Sequence, residues 1–298
     1  MTKVAIIGNG WVGQAMQELF PAAITYVRDV AIVAEKGMDK YTTLKEEINK
    51  CDIAFICVPT PNAKSCSCNC HIDHMVSGCV PKNDGSCAIC EAVYGSLVTE
   101  GKLDTSIVEE VIAWCEADIL VVRSTVNPGD CEAWTTKYGK KIVFQPEYLG
   151  ETPAHPLLDT AKTPFIILGG WREHARKVID LYTKVYNANI SIRQVSLYEA
   201  EVIKLSENRA IAFKVAQCQE LYDACEKAGL DYYTIRDAVY GDDPRFNLWW
   251  TFVYPEKRGF NSKCIPKDVY AWAAWAESLG YEPKITRGIL EKNKEWIK

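Results

Sequence analysis

Residues 3–13 read "KVAIIGNGWVG", and this stretch decides the fold class. Its first six residues are a short β-branched run that suits a strand. Gly8, Gly10 and Gly13 then fit G-x-G-x-x-G, "QAMQELF" (14–20) has helical apolar spacing, and "AITYVRD" (23–29) reads as a second strand. Strand, glycine turn, helix, strand is a βαβ unit. Its glycines permit a tight turn, close approach to a pyrophosphate and tight helix–strand packing, and the helix N-terminus offers unpaired N–H groups to phosphate. Gly8, Gly10, Trp11, Val12 and Gly13 are therefore candidate cofactor contacts. Asp29, at the end of the second strand, is the candidate partner of the adenosine ribose hydroxyls, which favours NAD over NADP. Arg28 beside it works against that preference.

Further strands are expected at "DIAFICV" (52–58), "DILVVRS" (118–124), "KIVFQ" (141–145) and "PFIILGG" (164–170), with helical stretches between most of them. Such alternation indicates an α/β fold with a Rossmann-type, doubly wound parallel sheet. At 196 the texture changes. Ser196 and Glu199 form a capping-box pattern, and neither proline nor glycine appears before Gly229. The spacing predicts one helix of about 48 Å, followed by a mostly helical region. The expected division is a NAD-binding domain over 1–195, with an insertion at 63–100, and a central helical domain over 196–298.

A net charge of −5 excludes a general nucleic-acid or membrane binder as the first expectation. The N-terminus enters a strand pattern at once, without a secretory pattern, and no apolar run is long enough to span a bilayer. A cytoplasmic protein is expected. Its thirteen cysteines are then read as metal or catalytic groups before disulfides.

Six stretches now point one way: "GNGWVG", "FICVPTP", "VVRSTVNPG", "QPEYLGE", "EAEVIKLSENRAIAFKVA" and "GFNSKCIPKD", in this order. Together they resemble the nucleotide-sugar 6-dehydrogenases, the UDP-glucose and GDP-mannose dehydrogenase family, over nearly the whole chain except residues 63 to about 100. The resemblance implies oxidation of a sugar C6 alcohol to a carboxylate with two NAD⁺, through a cysteine-bound intermediate. It also implies a homodimer built on the long helix. UDP-glucose is the leading substrate, because "GFNSKCIPKD" is most similar to that branch.

The chemistry explains the cysteine. Oxidising an aldehyde to an acid needs a prior addition, and a thiolate supplies it: thiohemiacetal, then thioester, then hydrolysis. Cys264 matches the family cysteine, flanked by Lys263 and Lys267. By the same resemblance, Lys204 and Asn208 hold the C6 oxygen, Asp268 positions water and the lysine, and Thr125 orients a water. Glu151 is the candidate base for thioester hydrolysis, and Glu147 supports water or substrate. Tyr148 and Leu149 line the sugar through their backbone, with Gly259 and Phe260 as further substrate contacts. Val58, Pro59 and Thr60, at a strand's C-terminal end, lie against the cofactor.

The chain departs from the family pattern in places. Asn261 and Ser262 stand where two glycines are usual, and Phe165 where an arginine is frequent. The resemblance ends with the central helical region, so a second Rossmann-like domain is expected to be lacking. A cysteine-rich insertion falls where the family has a short loop. Cys66, Cys68, Cys70, His71, His74, Cys79, Cys87 and Cys90 are candidate ligands for one or two structural zinc ions. Iron–sulfur or disulfide chemistry are the alternatives. Three lysines against four acids between residues 62 and 102 argue against a DNA-binding finger. Two other functions stay open: a related alcohol dehydrogenase stopping after one oxidation, which does not need Cys264, and a non-catalytic dimeric binding protein.

Overall fold

The structure is a computed structural model, and it describes residues 2–62, 101–150, 155–186 and 190–297. The described residues form two compact units, one from 2–61 and 104–204, the other from 62, 101–103 and 205–297. The eight candidate zinc ligands and Glu151 lie outside the described residues.

The first unit is built on strands β1 (Val4–Ile7), β2 (Ile24–Tyr26), β3 (Tyr41–Thr42), β4 (Ile53–Ile56), β5 (Ile119–Val122), β6 (Ile142–Phe144), β7 (Phe165–Gly169) and β8 (Ser191–Val195). They form one sheet in the order β3-β2-β1-β4-β5-β6-β7-β8. Helices α1 (Trp11–Leu19), α2 (Val30–Lys36), α3 (Lys45–Ile48), α4 (Ser106–Trp114), α5 (Asp130–Tyr138) and α6 (Arg172–Tyr182) connect them. The order reverses at β1 and β4, a topological switch point of the doubly wound type. One pair departs from the expected parallel sheet: β6 and β7 run antiparallel, with Phe144 opposite Gly169.

Period-two alternation explains the two cores. Ala5, Ile7, Ala54, Ile56, Leu120 and Val122 face one side, packed with Val108, Ile112 and Trp134. Val4, Ile6, Ile53, Phe55, Ile119 and Val121 face the other, packed with Met16, Val178 and Tyr182. The central strands are therefore buried on both faces and read as continuous apolar runs rather than half-polar ones.

Helix α7 (Leu197–Ala228) is the long helix expected from its caps. Ser196 Oγ accepts from the Glu199 N–H at 3.1 Å, and the Glu199 carboxylate accepts from the Ser196 N–H at 2.8 Å, which closes the capping box. Residues 197–204 of this helix belong to the first unit and the rest to the second.

In the second unit α8 (Tyr232–Arg236), α9 (Ile265–Ser278) and α10 (Lys284–Trp296) follow. One core joins Ala212 and Ala216 of α7 to Phe260, Val269, Tyr270 and Leu290. Asn293, on α10, closes a two-way hydrogen bond with the Phe260 backbone: Phe260 N–H to Oδ1 at 2.8 Å, Nδ2 to Phe260 C=O at 2.9 Å. That bond fixes the entry to the segment 259–264.

Candidate functional site

The glycine turn joins β1 to α1. A Cβ at Gly8 would collide with the Cys57 carbonyl, and one at Gly13 with the Gly8 carbonyl, so both positions exclude a side chain. Gly10 differs: a Cβ there would meet nothing within 4 Å. It is the N-cap of α1, and no side chain caps that end. The first N–H groups of the helix thus keep their donor capacity beside an open approach, which fits a dinucleotide pyrophosphate. Trp11 is half exposed at the same end. Asp29 caps α2 by accepting from the Ala31 N–H at 2.8 Å.

The neighbouring loops are tied down by side chains. Ser124 Oγ accepts from the Val58 N–H at 2.9 Å and donates to the Val58 carbonyl at 2.7 Å. This fixes the chain leading into Pro59 and Thr60. Thr125 follows directly, half-buried. The far end of its loop is held by Glu201, a fully buried residue of α7. The Glu201 carboxylate accepts from the Gly129 N–H at 2.6 Å and the Cys131 N–H at 2.9 Å. Burial pushes its carboxyl up to about 7, although those two N–H groups favour the ionised form.

The segment 147–149 is held in the same manner. Arg123, buried at the end of β5, donates to Glu147 Oε2. Glu147 Oε1 accepts from the Tyr148 and Leu149 N–H groups, both at 2.7 Å. Both carboxylate oxygens are therefore engaged. Burial acts to raise the Glu147 carboxyl, but the Arg123 charge and the backbone donors hold it below its ordinary value. Burial likewise opposes the Arg123 charge, and Glu147 more than restores it. A small, open-sided hollow lies here, lined by Arg123, Gln145, Glu147, Tyr148, Thr160 and Phe165. The Tyr148 ring rests against Phe165 at 5.1 Å, and the Lys204 ammonium sits over it.

In the second unit, Asp268 is fully buried. It accepts from Asn208 Nδ2 at 2.6 Å and from Lys267 Nζ at 2.7 Å. Cys264 is exposed and forms the N-cap of α9, one helical turn before Asp268. Ser262 gains a role here: its Oγ accepts from the Ile265 N–H at 3.1 Å, so it braces the start of the helix that carries the thiol. Gly259 has φ +71°. The structure thus places Lys204 with Tyr148 and Glu147 in the first unit, and Asn208 with Asp268 and Lys267 in the second. Arg123, Ser124 and Glu201 escaped the sequence reading. A charged residue ending the apolar run "ILVVR" was the one available signal for Arg123.

Residues 198–295 match the central domain of the UDP-glucose/GDP-mannose dehydrogenase family. The UDP-glucose 6-dehydrogenase of Rickettsia typhi is 27% identical over 182 residues, which are 59% of this chain and 41% of that protein. Residues 198–295 of this chain thus belong to the UDP-glucose/GDP-mannose dehydrogenase family as its central domain. A UDP-glucose 6-dehydrogenase of Haloferax volcanii is 23% identical over 330 residues, covering 98% of this chain and 69% of the relative. The fold is that of a UDP-glucose dehydrogenase structure from Pyrobaculum islandicum, with a TM-score of 0.75 at 23% identity, over 99% of this chain and 68% of that one. The chain spans 38–49% of the length of the first curated relatives it matches. Among the described residues, no helix is long and apolar enough to cross a membrane.

Proposed function

We propose that this chain oxidises the C6 alcohol of a nucleotide sugar, with UDP-glucose as the leading candidate, to the carboxylate with NAD⁺. The observation that most supports this reading is the buried Asp268 carboxylate, which holds Asn208 and Lys267 one helical turn after an exposed Cys264. NAD⁺, when bound, supplies the hydride acceptor for each of the two oxidations.

The chain's own groups do the rest. Lys204 and Asn208 donate to the C6 oxygen and stabilise its developing negative charge. The Cys264 thiolate adds to the aldehyde carbon, and the resulting thiohemiacetal becomes a thioester on the second oxidation. Water, oriented by Thr125 and activated by Glu151, hydrolyses the thioester and frees the thiol. The sum is alcohol plus water plus two NAD⁺ giving carboxylate, two NADH and three protons. Glu147 contributes by ordering Tyr148 and Leu149, whose backbone faces the sugar. Gly259 and Phe260 contact the nucleotide sugar from the segment that Asn293 fixes.

Absorbance at 340 nm, with limiting UDP-glucose and excess NAD⁺, tests the stoichiometry. Two NADH per sugar support the four-electron reaction. One NADH per sugar points to a single-step alcohol dehydrogenase, whereas unchanged acid formation by Cys264→Ser would refute the covalent cysteine mechanism.

The cytoplasmic setting, the homodimer along α7 and the division into 1–195 and 196–298 belong to the same reading. So does structural zinc on the Cys/His-rich insertion, which stands on ligand chemistry alone. Metal analysis is expected to find about one or two zinc per chain, and a metal-free protein would exclude it.

A further inference from the structure

The residue beside the ribose candidate Asp29 is a cation, Arg28, and a cation there is what a 2′-phosphate needs. The structure shows how that cation is engaged. Its Nη2 donates to Glu110 Oε2 at 2.6 Å, across from α4. The Gly8 N–H donates to the Tyr26 carbonyl at 3.1 Å, so the end of β2 adjoins the glycine turn. Trp114, also on α4, packs on Tyr26 with ring centres 5.2 Å apart and carries the Lys45 ammonium on its face at 4.8 Å. Both cations on this side have partners supplied by α4.

We infer that Glu110 is a positioning residue that sets cofactor selectivity, holding Arg28 away from a 2′-phosphate and so favouring NAD over NADP. This rests on the dinucleotide reading given above. A 2′-phosphate could recruit Arg28 only by displacing Glu110. The phosphate would then face two carboxylates, Asp29 and Glu110, and like charge near a phosphate disfavours it. Selectivity built from a repulsive element in this way is general. Both side chains of the pair are more than half exposed. Water and salt screen such a pair, so its effect is modest and weakens as ionic strength rises.

The test is binding rather than turnover. NADH and NADPH are titrated separately into the full chain, read by energy transfer from tryptophan to the reduced nicotinamide. The proteins are wild type, Glu110→Ala, Arg28→Ala and the double variant. Alanine suits the exposed helical position of Glu110, so the fold is kept. Glu110→Ala is expected to raise the NADPH-to-NADH affinity ratio by about 3- to 10-fold at low salt, and the double variant is expected to lose that gain. A ratio within about 2-fold of wild type, or a gain that persists without Arg28, overturns the inference while leaving the dinucleotide site standing. Failure of wild type to bind either dinucleotide overturns both.

Discussion

The Lys204 ammonium lies over the Tyr148 ring, 5.3 Å from its centre. Lys204 is only 7% exposed, so the ring replaces water as a partner for a nearly buried charge. The ring is itself fixed, by Phe165 on one side and by the Glu147 carboxylate on its backbone N–H. Phe165, which departs from the family pattern, thus serves the lysine indirectly, as a support for the ring beneath it.

Replacing Tyr148 separates the ring from its hydroxyl. Tyr148→Phe keeps the cation–π contact and is expected to retain most activity. Tyr148→Leu loses about 0.5–2 kcal/mol of attraction, and a fall in kcat of roughly 2- to 30-fold is expected. Acetylation of Lys204, followed by mass spectrometry, should speed up in the leucine variant and not in the phenylalanine one. Equal behaviour of the two variants would remove the ring from the account.

Asp268 holds two polar groups from a fully buried position. Asp268→Asn removes the charge that Lys267 faces and confronts Asn208 Nδ2 with a second amide. Breaking a buried pair costs about 3–5 kcal/mol. Lys267 keeps 16% of its side chain in water, so the low end of that range is expected. Urea unfolding with an unchanged slope and a lower midpoint checks this. A midpoint equal to wild type would show that the network adds nothing to the fold.

Much of this architecture was legible in the sequence, and what was not has physical causes. The βαβ unit and α7 could be read because glycine spacing, capping pairs and apolar runs are local signals. β8 was missed because "SIRQV" is a mostly exposed edge strand with no apolar alternation. β3 is two residues long. The antiparallel direction of β7 has no signature in periodicity. Arg123 finds Glu147 24 residues away, and Glu201 finds Gly129 72 residues away. Only the fold makes those neighbours, so spacing could not announce them.

Glu147 gives a sharper contrast. With one oxygen on Arg123 and the other on two N–H groups, it orders a loop and is not free to take a proton from water. Glu147→Gln is expected to destabilise by about 3 kcal/mol, as for other broken buried pairs. It should raise KM while leaving the acid limb of the kcat–pH profile where it was. Loss of that limb in Glu147→Gln would make Glu147, rather than Glu151, the hydrolytic base.

Glu201 makes stability depend on pH in a direction unusual for a carboxylate. Its carboxyl is raised from 4.5 to about 7 in the folded chain, chiefly by burial. Below about 4.5 it is neutral in both states. As pH rises towards 7 the unfolded chain ionises first, so the folded state loses stability through that window. The loss amounts to ~3 kcal/mol by neutral pH. In Glu201→Gln the side chain stays neutral throughout. That variant starts less stable in acid, because its amide NH2 group meets a backbone N–H that either oxygen of the protonated acid can still accept. The deficit should shrink by up to ~3 kcal/mol between roughly pH 5 and pH 8. Urea midpoints at unit pH steps for both proteins measure it. Parallel curves would mean that the two backbone N–H groups hold Glu201 ionised across the whole range.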